Sequence, residues 1–284
     1  MRIADLLARG RTFSFEFFPP KTDEAQAQLT ATITELAPLK PSFFSVTYGA
    51  GGSTRTRTRD VVVGLARSGV VPPMAHLTCV GHSRDDINLL LGDYKAAGVE
   101  NILALGGDLP SDPSLAGPSD FHHALDLVEY LREHFDVSIG VAAHPEVHPR
   151  SPSRESDRHH LAEKLRRADF AMTQFFFDVQ HYERLRDELA ALGVHKPIVP
   201  GIMPVTNKGQ IVKMAQMSGA EIPRWLSDRL APLEDVADVR RVGVEVATQL
   251  GADLLAAGAP GLHFYTLNRS TATREIYANL GLVG

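Results

Sequence analysis

The chain alternates between short apolar runs and longer stretches whose apolar residues recur every three or four positions. Runs at 12–17 (TFSFEF), 43–48 (FFSVTY), 73–78 (PMAHLT), 101–106 (NILALG), 137–143 (VSIGVAA), 170–176 (FAMTQFF), 197–202 (PIVPGI) and 262–267 (LHFYTL) read as strands. Between them, 23–39, 84–98, 121–135 and 158–168 have helical spacing, and several run out near glycine. Strand and helix in alternation predict a parallel sheet covered by helices. Eight such units within 284 residues favour a closed (β/α)8 TIM barrel over an open doubly wound sheet, with one catalytic domain over 1–284. The widest gap between strands, about 203–261, reads as extra helices inserted before the last strand, because no linker or change of composition isolates it.

Composition narrows the function. A hydrophobic share of 44% suits a soluble globular enzyme, and a net charge of -5 gives no basic surface for nucleic acid. No apolar stretch approaches the ~20 residues of a membrane span, nor does the start of the chain resemble a secretion signal. With Cys79 as its single cysteine, the chain can form no internal disulfide or thiolate cluster, which suits a buried thiol in a reducing cytoplasm. The sequence favours no oligomeric state.

A barrel builds its active site at the carboxyl ends of its strands, and here nearly every strand end carries a polar group. These are Glu16; Thr47 and Tyr48; His76 and Thr78; Asp108; His144, Glu146 and His148; Gln174 and Asp178; and Tyr265, Asn268 and Arg269. Along 13–17, alternation puts the three phenylalanines on one face and Ser14 and Glu16 on the other, so phenylalanines against the helices leave Glu16 in the mouth. The flanking aromatics and Pro19-Pro20 would exclude water from it. A dry carboxyl holds its proton to higher pH than a hydrated one, as a general acid needs; structural pairing with a distant Lys or Arg is the alternative. Asp108 ends a Gly-Gly-Asp stretch that is equally a plain turn. In AHPEVHP two histidines lie four apart, but Pro145 and Pro149 argue against a helix that would align the imidazoles on a metal, so no metal site is expected. Gln174 offers an amide that can donate and accept toward a flat heterocycle, or can satisfy backbone groups inside the barrel. The planar fork of Arg269 suits a carboxylate, in a ligand or in a surface salt bridge.

Taken in order, FSFEFFPPK, SVTYGAGG, AHLTC, GGDLP, HPEVHP, TQFFFD, PGIMP and HFYTLNR resemble the motif series of bacterial methylenetetrahydrofolate reductases over about residues 12–281. That resemblance implies an eight-stranded barrel reducing methylenetetrahydrofolate to methyltetrahydrofolate for methionine synthesis. It implies Glu16 as general acid, Asp108 beside the pterin and the hydride-transfer centre, and Gln174 on the pterin. Thr47 would border the folate and nicotinamide, Tyr265 the substrate, and Arg269 the glutamate tail. Tyr48, His76, Gly107, His144, His148, Asp157 and Lys164 are the further cofactor-side positions.

Members of the family bind FAD, and here the chain departs from the pattern. Gly106 stands where an arginine is usual, His144 where a tyrosine is usual, and His160 and Glu163 where the helix after strand five usually offers the flavin an asparagine and an arginine. Lys208 replaces an aromatic beside the shared substrate site. A carboxylate near a diphosphate costs affinity, so the departures lead us to expect direct hydride transfer from NADH or NADPH without tightly bound FAD. A conventional FAD enzyme with altered contacts, a deazaflavin-dependent barrel and a non-catalytic folate-binding barrel are the alternatives.

Overall fold

Every apolar run singled out in the sequence forms a strand, because a parallel barrel strand buried on both faces is written locally as a continuous apolar segment. In the computed structural model, which describes residues 1–49, 55–107 and 119–282, the strands are β1 (Thr12–Phe17), β2 (Phe43–Val46), β3 (Pro73–Thr78), β4 (Asn101–Leu105), β5 (Ser138–Ala143), β6 (Phe170–Phe175), β7 (Ile198–Ile202) and β8 (Gly261–Tyr265). They close a barrel in sequence order, with β8 pairing back onto β1 in parallel.

The helices are α1 (Ile3–Arg9), α2 (Asp23–Leu36), α3 (Arg55–Ser68), α4 (Arg84–Ala96), α5 (Ala124–His134), α6 (Arg154–Arg167), α7 (Val179–Ala191), α8 (Lys208–Ser218), α9 (Arg224–Leu230), α10 (Val236–Ala256) and α11 (Thr271–Asn279). The helix read over 23–39 turns into a 3-10 turn at Ala37–Leu39, where Pro38 cannot continue the ladder. The one read over 158–168 starts earlier, because Ser153 caps it by accepting the Ser156 N–H. Helices α8 to α10 fill the gap before the last strand, as expected. They cover a satellite core of Phe175, Phe177, Met203, Val205 and Leu226, and at Gly243 of α10 an added Cβ would lie 1.8 Å from the Val205 carbonyl oxygen, so only glycine fits.

The two ends of the barrel differ. Helix α1 closes the amino end, inserting Ile3 among Phe43, Met74, Leu103, Phe170 and Met172. Its first N–H groups have no partner within the helix; Ile3 N–H donates to Asn101 Oδ1 (2.7 Å) and Ala4 N–H to Ser138 Oγ (3.2 Å). The carboxyl end is left for the loops. No described helix is long and apolar enough to cross a membrane.

Candidate active site

Alternation on β1 holds in the structure. Phe15 and Phe17 pack outward against Phe44, Phe264 and Tyr277, while Ser14 and Glu16 face the barrel interior. Glu16 is 6% exposed, yet the groups closest to its carboxyl are imidazoles and not the phenylalanines expected to keep it dry, whose rings lie on the opposite face of the strand. His263 Nε2 lies 3.2 Å and His76 Nε2 3.5 Å from the same oxygen, Glu16 Oε2. Each imidazole is held by a serine one strand away: His263 Nδ1 by Ser14 Oγ (2.8 Å) and His76 Nε2 by Ser45 Oγ (2.6 Å). Burial pushes His76 down to about 4, against the opposing pull of the Glu16 charge, so this ring is neutral near pH 7. Sequence reasoning missed His263, although it shares the inward parity of Gly261 and Tyr265 on β8.

Across the mouth, a register shift between β6 and β7 spans Met172 to Phe175. Side chains fill the interrupted ladder: Thr173 Oγ1 accepts the Gly201 N–H (2.9 Å), and the Tyr265 hydroxyl donates to the Thr173 carbonyl (2.8 Å). Gly201 is required because an added Cβ would lie 2.6 Å from the Tyr265 ring. Burial, and then the Glu16 charge, raise the Tyr265 phenol well above its ordinary value, so it remains a donor. Irregularities of this kind can re-aim a side chain, and Gln174 lies within the shifted stretch. Its Oε1 accepts the Phe175 N–H (3.0 Å), leaving its NH2 without a protein partner among the described residues. Thr47 is half-buried at the end of β2, where its backbone joins Phe17 O (2.9 Å) and the Thr58 hydroxyl (3.0 Å). Arg269 is exposed, and its guanidinium has no acidic partner among the described residues. Asn268 bonds both ways to Phe18, through Oδ1 at 2.8 Å and Nδ2 at 2.9 Å, tying the FFPP turn to β8.

The end of β5 is organised by a residue the sequence reading passed over. Arg158, 3% exposed, donates to the carbonyls of His144 (3.1 Å), Pro145 (2.8 Å) and Glu146 (3.2 Å), to Glu188 (2.6 Å) and to Asp157. Asp157 in turn accepts the His148 N–H (3.2 Å), so it braces the loop. The rings of His144 and His148 meet edge to face at 4.5 Å. The two prolines prevented a helix there but not the encounter, which an irregular turn provides instead. Burial first, then His148 and Lys164, push His144 down to about 3. Among the described residues no group of three potential ligands is placed to hold a metal. The Lys164 ammonium reaches Ala142 O (3.3 Å), and burial lowers its pKa against the pull of Asp157.

Other expected positions take structural duties. The Tyr48 hydroxyl meets His82 Nε2 (2.9 Å), and Asp178 caps α7 through the Gln180 N–H (2.9 Å). Lys208 donates to Ala231 O (3.3 Å) and Leu233 O (2.5 Å), joining α8 to the end of α9. Glu146 Oε1 accepts the Glu221 N–H (3.0 Å). His160 and Glu163 are exposed on α6. Gly107, at φ 80, has no room for a side chain, since a Cβ would lie 2.9 Å from Thr78 Cβ. The Cys79 thiol is buried, pushed up to about 11, and directed at Gly106 O (2.9 Å), as a structural thiol should be. Asp108 lies outside the described residues.

This geometry coincides with a clear set of relatives. The sequence profile described as methylenetetrahydrofolate reductase matches residues 2–281. A 5,10-methylenetetrahydrofolate reductase of Salmonella typhimurium is 41% identical over 271 residues, covering 95% of this chain and 90% of the relative, and that of Escherichia coli K12 is equally similar. Methylenetetrahydrofolate reductase (NADH) 1 of Arabidopsis thaliana is 35% identical over 99% of this chain, which spans only 50% of that longer relative. Among solved structures, an uncharacterized Clostridium thermocellum protein described as binding two copies of 5-methyl-5,6,7,8-tetrahydrofolic acid shares the fold, with a TM-score of 0.68 at 15% identity over 97% of this chain and 96% of its own. The chain belongs to the methylenetetrahydrofolate reductase family, whose reaction is the reduction of methylenetetrahydrofolate.

Proposed function

We propose that this protein reduces 5,10-methylenetetrahydrofolate to 5-methyltetrahydrofolate in the cytoplasm with NADH or NADPH, by direct hydride transfer and without bound flavin, and that Glu16 is its general acid. The observation that carries this reading is the buried Glu16 carboxyl, in the barrel interior below the mouth. There Oε2 faces two imidazoles, and Oε1 has no hydrogen bond among the described residues.

Glu16 gives its proton to a nitrogen of the methylene bridge as the carbon–nitrogen bond breaks, the nitrogen keeping the bonding pair. The bridge carbon becomes a cationic iminium centre, whose charge Asp108 would stabilise. The dihydronicotinamide supplies the hydride that reduces this carbon, leaving methyltetrahydrofolate and the oxidised dinucleotide. The NH2 of Gln174 would bond the pterin, Thr47 would border the shared site, and Arg269 would take the glutamate carboxylates. That the Clostridium protein of the same fold is described as binding 5-methyl-5,6,7,8-tetrahydrofolic acid is in keeping with a folate ligand, and the name of the Arabidopsis relative supports NADH.

The flavin common in the family fits poorly. At the position where the family resemblance puts the flavin's diphosphate, binding it needs cations or free N–H donors. At the end of β5, Arg158 is spent on carbonyls and carboxylates, the Lys164 ammonium on a carbonyl, and His144 is neutral. Glu163 adds the wrong sign nearby, and Arg150 bonds Gly107 O (3.2 Å).

The test is a visible spectrum of the purified protein, followed by NADH oxidation with methylenetetrahydrofolate, with and without added FAD. A colourless protein with FAD-independent turnover is expected; a yellow one that needs FAD overturns the flavin-free step. Glu16→Gln should lower kcat by about 10²–10⁴-fold, the usual contribution of a general acid. Turnover at the wild-type rate in that variant removes Glu16 from the role.

A further inference from the structure

The reading of Glu16 as the acid leaves open what decides which of its two oxygens carries the proton. A carboxylate only accepts hydrogen bonds. Once Glu16 has given up its proton, the imidazole 3.2 Å from Oε2 must therefore donate, which puts the His263 proton on Nε2. Nδ1 is then an acceptor, and the Ser14 hydroxyl at 2.8 Å is the donor that matches it. His263 is fully buried and stacked on Phe43, with ring centroids 6.4 Å apart and planes 14° from parallel, so it has little freedom to turn.

We propose that His263, with its tautomer set by Ser14, is the positioning residue of the acid, an inference that rests on Glu16 being that acid. Its Nε2–H occupies Oε2 in both charge states of Glu16. The transferable proton therefore resides on Oε1, the oxygen free of protein partners among the described residues. No proton passes through His263: its Nε2–H stays on the nitrogen as the donor to Oε2, and the proton lost from Oε1 is restored from the mouth after product leaves.

The titratable groups facing the ring are Glu16 from β1, His76 from β3 and Tyr265 from β8, whose ring centroid is 5.3 Å away. His76 is neutral down to about 4 and Tyr265 keeps its proton far above neutrality, so neither titrates where the acid works.

Four variants of the full chain test this: Glu16→Gln, His263→Leu, His263→Gln and Ser14→Ala, each followed by kcat, KM and the pH profile of kcat at saturating folate. His263→Leu removes the donor. It is expected to lower kcat by about tenfold to a hundredfold, as a misplaced reacting group does, with KM within about threefold of wild type. It should also move the limb on which the acid loses its proton to higher pH, because a donor to the carboxylate has gone. A glutamine amide can donate from the Nε2 position, so His263→Gln is expected to recover most of kcat and the wild-type limb. Ser14→Ala keeps the ring but frees its tautomer, and is expected to fall between the two. If His263→Leu does not fold, Ser14→Ala and His263→Gln decide the matter by the same readouts. Wild-type turnover in Glu16→Gln defeats the underlying assignment. Inactive Glu16→Gln together with unchanged kcat and pH limb in His263→Leu, or in Ser14→Ala where His263→Leu does not fold, defeats the positioning role alone, as does a glutamine no better than leucine.

Discussion

Two quarters of the barrel's carboxyl end use buried polar groups in opposite ways. Around β1, β8 and β3, one carboxyl meets two imidazoles that serines hold in place, and one oxygen and the Gln174 amide across the mouth keep hydrogen-bonding capacity in reserve. Around β5 and α6, Arg158, Asp157, Glu188 and Lys164 spend their charges on each other and on backbone carbonyls. A fully satisfied network rigidifies, while unmet capacity in a shielded site is what a ligand can use. On the proposed function, the first quarter is the one built to react, and the second holds a loop at its side.

Replacing the brace should produce the largest change in stability. In Arg158→Met three carbonyls and two carboxylates lose their donor, and breaking a buried pair from one side costs about 3–5 kcal/mol. A fall of that order in unfolding free energy by urea titration is expected. A loss under about 1 kcal/mol would mean the second quarter is as open as the first.

The contrast also separates what could be read from the sequence from what could not. Barrel strands are local apolar runs, so their positions were legible, and strand parity alone sent Glu16 inward. Their ends were not: β2 stops at Val46, short of Thr47 and Tyr48, because pairing with β3 ends there. His263 lies 247 residues from Glu16, and the β1–β8 register that joins them is a property of the closed barrel that no local pattern encodes. Arg158 was hidden for another reason. It stands in the strongly polar run RESDRHHLAEKLRR, where nothing marks one arginine as buried while its neighbours His159 and His160 face solvent.

Acid should probe both quarters at once. His76 and His144 have folded values near 4 and 3 against an ordinary 6.5, so each is neutral in the folded protein where the unfolded chain would bind a proton. Their contribution is complete above pH 6.5 and is lost as the pH falls toward those lower values. At roughly 1.4 kcal/mol per pKa unit, a few kcal/mol should disappear on acidification, read as a falling denaturant midpoint. His76→Gln and His144→Gln should each flatten that fall. If only one of them does, the acid-sensitive burial belongs to one quarter and the comparison must be redrawn.

A smaller effect is expected outside both quarters. Arg269 is exposed without an acidic partner among the described residues, so Arg269→Gln should leave thermal stability unchanged. If it grips the glutamate tail, KM for the folate should rise about tenfold, equivalent to ~1.4 kcal/mol, with kcat intact. An unchanged KM would leave the arginine as surface.

The smallest expected effect belongs to Glu163→Arg, and its smallness is informative. The substitution restores the cation that the flavin-binding pattern would want on α6, at a residue that is exposed. An exposed substitution away from any network shifts stability by less than about 0.5 kcal/mol. If a missing charge at this position were all that kept flavin out, reversing it should yield a yellow protein. If the obstacle is the closed network beneath it, in which Lys164 and Arg158 are already committed, the variant should stay colourless and oxidise NADH at the wild-type rate. FAD bound stoichiometrically by Glu163→Arg would show the second quarter to be a cofactor site one charge away from use, and would erase the contrast with the first.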